Sequence, residues 1–420
     1  MNIKAKKILV ISESIDINDS SGTKGRVALI NNLVKAGFDL KILHYTPKDI
    51  FLEGIDCVRI KEGKFTGLYL LSRMERIFTR ITKISLNPYL ESWFGFSFNF
   101  FNDTQSIKRA LKKENVNNYD LILTLSKGAS FKPHYAILDI PKLHDKWMAY
   151  VHDPFPYHFY PRPYNWIQPG FSQKEKFFLK VSEKAKFSIF PSFLLKEWMG
   201  SYFPNFLKTG IVIPHQNAEQ DIQKQDLPSY FDASKFNLLH AGNLMKQRSP
   251  EGLIEGFKMF LEQNPEAKKD ARLLLLGNAS YFSTMLENYS AKNPEIYIHN
   301  GSKPFAEVYN LQQNVSVNVI LEAKSEISPF LPGKFPHCVE ANKPILSLAP
   351  YYSEVRRLVG EDYRYWSEAN DVRKIALLIG QMYQQWKINP DDLLLNRKDL
   401  EDYLSVKYLK EVMNNLKRDV

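Results

Sequence analysis

Two cations in this 420-residue sequence stand out by their neighbours. Arg248, with Lys246 close by, lies between a strand-ending glycine, Gly242, and the Ser249-Pro250 pair that opens a helix. Lys334 follows Gly333 in "SPFLPGKFPHCVEANKPILSL" (Ser328–Leu348). There Pro329 and Pro332 stiffen a turn, Gly333 permits close backbone approach, Pro336 suits the first helical position and Asn342 suits a left-handed cap. A cation beside a helix start is chemistry for a diphosphate. Arginine pairs it through two N–H groups, free backbone N–H groups add to it, and such fixed donors stabilise negative charge on a departing group. The plainer reading, surface charges on loops, is weakened by this position.

A third candidate follows the apolar run "WMAYVHD". His152 is placed to bond a hydroxyl or accept a proton, and Asp153 to orient it. Their plainer roles are ending a strand and opening the turn before Pro154. The aromatic, proline-rich "VHDPFPYHFYPRPYNW" that they begin suits an acceptor wall or simple structure. Near the N-terminus, Ser20, Ser21, Gly22 and Gly25 precede a helix whose first N–H groups can hold an anion. Their spacing is not the GxGxxG dinucleotide fingerprint.

These residues need a scaffold. Short apolar runs that read as parallel strands covered on both faces recur at Lys7–Ser12, Phe38–Tyr45, Tyr119–Ser126, Trp147–Asp153, Phe187–Ser192 and Gly210–His215. A second set falls at Phe236–Gly242, Ala271–Asn278, Glu295–Gly301, Ser316–Glu322 and Pro344–Pro350. Helical stretches separate them. Val27, Ile30, Leu33 and Val34 share one face, and Leu253, Ile254, Phe257, Phe260 and Leu261 another. Strand–helix alternation, twice over, predicts two doubly wound α/β domains joined near Gln216–Lys235. The expected division is 1–217, 218–396 and a last helix, Arg397–Arg418, that crosses back to the first domain. Open sheets of this kind bind ligands beyond the carboxyl ends of their strands, where all the candidates lie.

Composition narrows the class. Apolar residues make up 44%, enough for packed cores, and two distant cysteines give neither a disulfide framework nor a thiolate metal site. The N-terminal apolar run is too short for a signal peptide, and no stretch approaches the ~18 residues of a membrane span. A cytoplasmic protein is expected, soluble or peripheral on the inner face of a membrane. A net charge of +10 favours an anionic partner, although a solvated basic surface gives the same number. No RNA-binding signature is present, so no nucleic acid is expected. One segment, Gly67–Phe101, breaks the alternation. Arg73, Arg76, Arg80 and Lys83 fall near one helical face, and Leu70, Met74, Ile77, Phe78 and Ile81 on another. The aromatic cluster Trp93, Phe94, Phe96, Phe98, Phe100 and Phe101 follows. Either the apolar face packs on the core and the charges are solvated, or the segment meets anionic lipid or a lipid-linked substrate.

Taken together, "AGNLMKQRSPEGLIEGF", "ARLLLLGN" and "SPFLPGKFPHCVEANKPILSLAP" resemble the donor half of GT-B glycosyltransferases, particularly the large retaining family 4 type. "AKFSIFPSFLLKEWM" followed by "IVIPHQN" resembles the end of that family's first domain. The resemblance implies two Rossmann-like domains facing across a cleft, a nucleotide-sugar donor held by the C-terminal one and a glycan or lipid-linked acceptor held by the N-terminal one. It implies no obligatory metal or other cofactor, and no DxD metal motif is present. By position, Arg248 and Lys334 resemble the basic pair on the donor diphosphate, Gly22 the glycine-rich loop near the donor, and His152 the histidine near the transferred sugar. The sequence departs from the pattern twice. Asn243 stands where an arginine is usual, and His337 where the second glutamate of E-x7-E holds the ribose. Glu340, one helical turn on, or His337 itself would then bond the hydroxyls. The first glutamate's place falls at Ser328-Pro329, with Glu326 the nearest carboxylate, and Phe330 and Leu331 are counted with these as nucleotide- or sugar-binding. The rival readings are a nucleotide-sugar epimerase or phosphorylase on the same architecture, and a non-catalytic protein that binds an anionic ligand.

Overall fold

The computed structural model describes residues 6–156, 167–217 and 226–416. The aromatic wall beyond residue 156 and the middle of the interdomain stretch lie outside them. The chain divides into two units: residues 6–156, 167–217 and 405–416 form one, and residues 226–404 the other.

In the first unit, β1 (Lys7–Ser12), β2 (Asp39–His44), β3 (Asp56–Arg59), β4 (Leu121–Leu125), β5 (Trp147–Tyr150), β6 (Phe187–Phe190) and β7 (Gly210–Val212) make one sheet, ordered β3-β2-β1-β4-β5-β6-β7. Every pair is parallel. In the second, β8 (Phe236–Ala241), β9 (Ala271–Gly277), β10 (Ile296–Asn300), β11 (Val317–Leu321), β13 (Ile345–Leu348) and β15 (Trp366–Ser367) run parallel in the order β10-β9-β8-β11-β13-β15. A separate two-stranded ribbon pairs β12 (Ile327–Ser328) with β14 (Tyr352–Ser353). Apolar side chains on both faces are buried, as the runs require: Leu9 and Ile11 serve one core layer and Ile8 and Val10 another. In each sheet the strand order reverses once, between β1 and β4 and between β8 and β11. Those switch points are where such sheets open to ligands.

The eleven expected runs are strands, but β3, β12, β14 and β15 escape the pattern because they are short and mixed in polarity. Three local expectations need correction. Gly22 and Gly25 lie inside the helix Ser21–Lys35, not in a loop before it, because the Ser20 hydroxyl caps it by accepting from the Thr23 N–H at 3.2 Å. The helix expected from Ser249 begins at Glu251, whose N–H donates to the Ser249 hydroxyl at 3.3 Å. The single last helix is two, Lys398–Tyr403 and Val406–Asn415, and the Ser405 hydroxyl caps the second. Leu400 and Leu404 join the second unit's core, while Leu409, Met413 and Leu416 join the first's. No helix among the described residues is long and apolar enough to cross a membrane.

Candidate functional site

The second unit's switch point gathers charge. Phe335–Glu340 forms a short helix with Lys334 at its N-cap and Pro336 in the first turn, and Asn342 takes the left-handed conformation (φ 51°) beyond its end. Lys334 Nζ donates to the Val319 carbonyl of β11 at 3.1 Å and lies 3.0 Å from His240 Nδ1 of β8. Burial pulls the Lys334 ammonium down to about 7, and the Arg248 charge pushes the same way. His240 is fully buried, and that burial, with Lys334 and Arg248 beside it, holds its imidazole neutral. Its Nδ1 also lies 3.3 Å from the Val319 carbonyl, so the ring, Lys334 and that carbonyl form one buried polar cluster. Glu322, the first residue after β11, is buried, and its carboxylate bonds the Ser328 hydroxyl. Burial lifts Glu322 to about 7, against the opposing pull of Ser328, Arg248 and Lys334. Arg248 and Lys334 thus act on the same two groups, His240 and Glu322. The structure brings these residues, 86 positions apart, to one strand edge.

Glycine makes room there. Gly242 borders the cluster: a Cβ there would make ordinary contact, 3.6 Å, with both Lys334 Nζ and His240 Nε2. A Cβ on Gly277, which ends β9 at φ 145°, would lie 2.3 Å from the Gly242 carbonyl oxygen, so only glycine lets the two loops approach. Gly333 has nothing within 4 Å of its Cβ position and faces open space. Asn243 is structural: its side-chain oxygen accepts from the Asn278 N–H at 3.2 Å.

The remaining second-unit candidates separate. His337 packs against the rings of Phe305 and Tyr309 at 5.3 and 5.7 Å, with Nδ1 3.7 Å from Glu340 Oε2. These two form a second polar group on the helix behind Lys334. Leu331 is buried with Phe335 and Cys338, so its side chain is core. Phe330 is half-buried and Glu326 exposed. The carboxylate placed among the cations is Glu322.

In the first unit His152 follows β5, its Nε2 3.3 Å from Asp153 Oδ2. Burial lowers its pKa; Asp153 opposes that and Arg26 adds to it. His134 beside it is fully buried, and burial plus the His152 charge push it down to about 3. Arg26, four residues along the helix from Gly22, is buried and donates from Nη2 to the Thr23 hydroxyl at 2.6 Å. At this unit's switch point Glu13, after β1, accepts from the Lys127 N–H at 2.9 Å and pairs with Lys132 at 3.1 Å; Lys132 also pairs with Asp103 at 2.9 Å. Sequence reasoning passed over Glu13, Arg26, His240 and, as a site residue, Glu322. The signal available was a charged or imidazole group at a strand's carboxyl end or on the helix that follows.

Among the described residues no three carboxylate, imidazole or thiol side chains form a metal-ligating group. No protein-family model and no curated protein matches the sequence. Solved structures do. A trehalose-6-phosphate synthase, OtsA, superposes with a TM-score of 0.67 at 11% identity, covering 99% of this chain and 100% of its own. The Anabaena protein HepE, solved in complex with UDP-glucose, gives 0.60 at 12% identity over 98% and 99%. A glycosyltransferase from Rickettsia africae gives 0.55 at 13% over 98% and 100%. The chain has the GT-B fold.

Proposed function

We propose that the protein is a glycosyltransferase that moves a sugar from a nucleotide-diphosphate donor to a glycan or lipid-linked acceptor, in cell-surface polysaccharide or glycoconjugate synthesis. The observation that carries this reading is the pairing of Lys334 and Arg248 over His240 and Glu322 at the switch point between β8 and β11. Two cations held in a partly dehydrated site suit an anion of two linked phosphates. A diphosphate would restore the charge that burial takes from Lys334, and the neutral His240 ring lies beside it. His337 and Glu340 suit the ribose hydroxyls. In the first unit the acceptor would meet His152, with Asp153 orienting the ring. UDP-glucose bound to HepE, a neighbour in fold, supports a nucleotide-sugar donor. Retention of anomeric configuration follows only from the resemblance, and would have the leaving phosphate assist on the same face with the protein contributing position and charge. No metal cofactor is part of this reading.

The test is thermal-shift screening against UDP-, GDP- and ADP-sugars with and without EDTA. One of them should stabilise the wild type, and Arg248→Ala and Lys334→Ala should each abolish the shift. Equal shifts in all three proteins would remove both residues from the site, and a shift lost to EDTA would overturn metal independence. Product analysis separates the rivals, since an epimerase converts the donor with no acceptor present.

A further inference from the structure

The helix Gly67–Thr82 is turned against the ordinary expectation. Its polar side faces inward: Ser72 and Glu75 are its buried residues, and it packs on the helix Phe98–Lys113. Glu75, Arg76 and Thr79, with Asn87, Ser97 and Asn99, line a polar hollow of about 400 Å³ beneath it. Its apolar side faces out, with Leu70 61%, Met74 58%, Ile77 56% and Ile81 75% exposed. The core-facing alternative for this helix is therefore wrong. The aromatic cluster likewise divides: Phe96 and Phe100 stack in the core at 4.0 Å, while Trp93 is 70% and Phe94 52% exposed.

The next helix, Asn87–Phe94, is held firmly. Lys174, itself buried, pairs with Glu91 at 2.7 Å. Gln173 donates to the Trp93 carbonyl at 3.1 Å, and a Cβ on Gly170 would fall 2.0 Å from the Glu91 carbonyl oxygen. The exposed rings of Tyr89, Trp93 and Phe94 are thus carried on an anchored element.

We propose that the outer apolar face of Gly67–Thr82, with the exposed aromatics of Asn87–Phe94, docks on an anionic lipid bilayer. Charge selects this occupant. Arg73, Arg76 and Arg80 run down one flank of the apolar stripe and Lys83 ends the helix, all exposed. Among the described residues none of the four pairs with a carboxylate; Arg73 donates to Tyr69 and Arg76 to Ser72 of the same helix. An interfacial helix has this composition: apolar side chains enter the acyl boundary and arginines meet the headgroup phosphates at its edge. A protein partner would require carboxylates spaced to match the arginines. A bilayer supplies its charges in any arrangement.

This proposal stands apart from the transferase reading and is tested without substrate. The full chain is floated with vesicles of phosphatidylcholine alone and of phosphatidylcholine with phosphatidylglycerol. Wild type is expected on the anionic vesicles only, and less so in high salt. Arg73→Glu/Arg76→Glu/Arg80→Glu should lower partition on the order of a hundredfold. Ile77→Asp/Ile81→Asp should release the protein while its melting temperature stays that of wild type, because both side chains already face water. Wild type that stays off anionic vesicles would overturn the proposal, as would Ile77→Asp/Ile81→Asp binding them as well as wild type. Concentration-dependent dimers abolished by the Ile77/Ile81 variant, with no vesicle binding, would assign the face to a second copy and also overturn it.

Discussion

Burial works against the charge on Lys334 and for the proton on Glu322, and the two meet near neutrality. On the proposed function, their titration would make donor binding depend on pH in a defined direction. At pH 6 Lys334 is charged and Glu322 protonated, which suits an incoming diphosphate. At pH 8 Lys334 has lost its proton and Glu322 is an anion, so binding must recover protons. We therefore expect proton uptake on nucleotide-sugar binding at pH 8 and almost none at pH 6, measured by calorimetry in buffers of different ionisation enthalpy. Affinity should fall by up to about tenfold per pH unit above 7 for each proton taken up, about a hundredfold where both groups must be recharged. Lys334→Arg should remove the lysine's share and Glu322→Gln the carboxylate's. Undiminished uptake in the double variant would place the linked protons elsewhere. His240 takes no part, since burial and two neighbouring cations keep it neutral throughout.

At the scale of elements, the close approach of two loops decides whether the site forms at all. The β8 and β9 ends touch through Gly242 and Gly277, and the Gly242 N–H donates to Leu276 and the Leu244 N–H to Asn278, both at 2.8 Å. Gly277→Ala meets both a clash and a strained φ, so it should cost about 3 kcal/mol of the second unit's stability and weaken nucleotide-sugar binding. Denaturant unfolding and thermal shift with the donor check this; an alanine variant with wild-type values would show that the loops have slack. The same scale explains what the sequence disclosed. Buried parallel strands announce themselves as apolar runs, and Asn342 and Pro336 mark a short helix because turn chemistry is local. His240 and Glu322 were not legible as partners, because β8 and β11 become neighbours only when the strand order reverses, 79 residues apart at the His240–Val319 contact. The period of Gly67–Thr82 was equally plain, but its direction was not. That depends on the polar hollow met by Glu75 and Thr79, which residues as far along as Asn99 help to build.

For the molecule as a whole, the chain's return matters more than its ends suggest. After completing the second unit it crosses back at Ser405, and Val406–Asn415 packs on the Ser21–Lys35 helix of the first. Leu409 and Met413 join Val27, Ile30 and Leu33 in one buried cluster, and Lys6 Nζ donates to the Met413 carbonyl at 3.3 Å. The first unit's core is therefore unfinished until almost all of the chain exists. Leu409 is fully buried, so Leu409→Ala should remove about 2–5 kcal/mol. The loss should fall on the first unit although the mutation follows the second in sequence. Hydrogen exchange locates it: amides of Ser21–Lys35 and β1 should lose protection while those of β8, β9 and β11 keep theirs. The helix Ser21–Lys35 also carries Arg26, whose charge acts on His152, so the variant should loosen the acceptor-side candidates and leave nucleotide-sugar binding at Lys334 and Arg248 intact. Loss of protection spread evenly over both units would mean that they unfold as one, and that the last helix ties them together instead of completing the first.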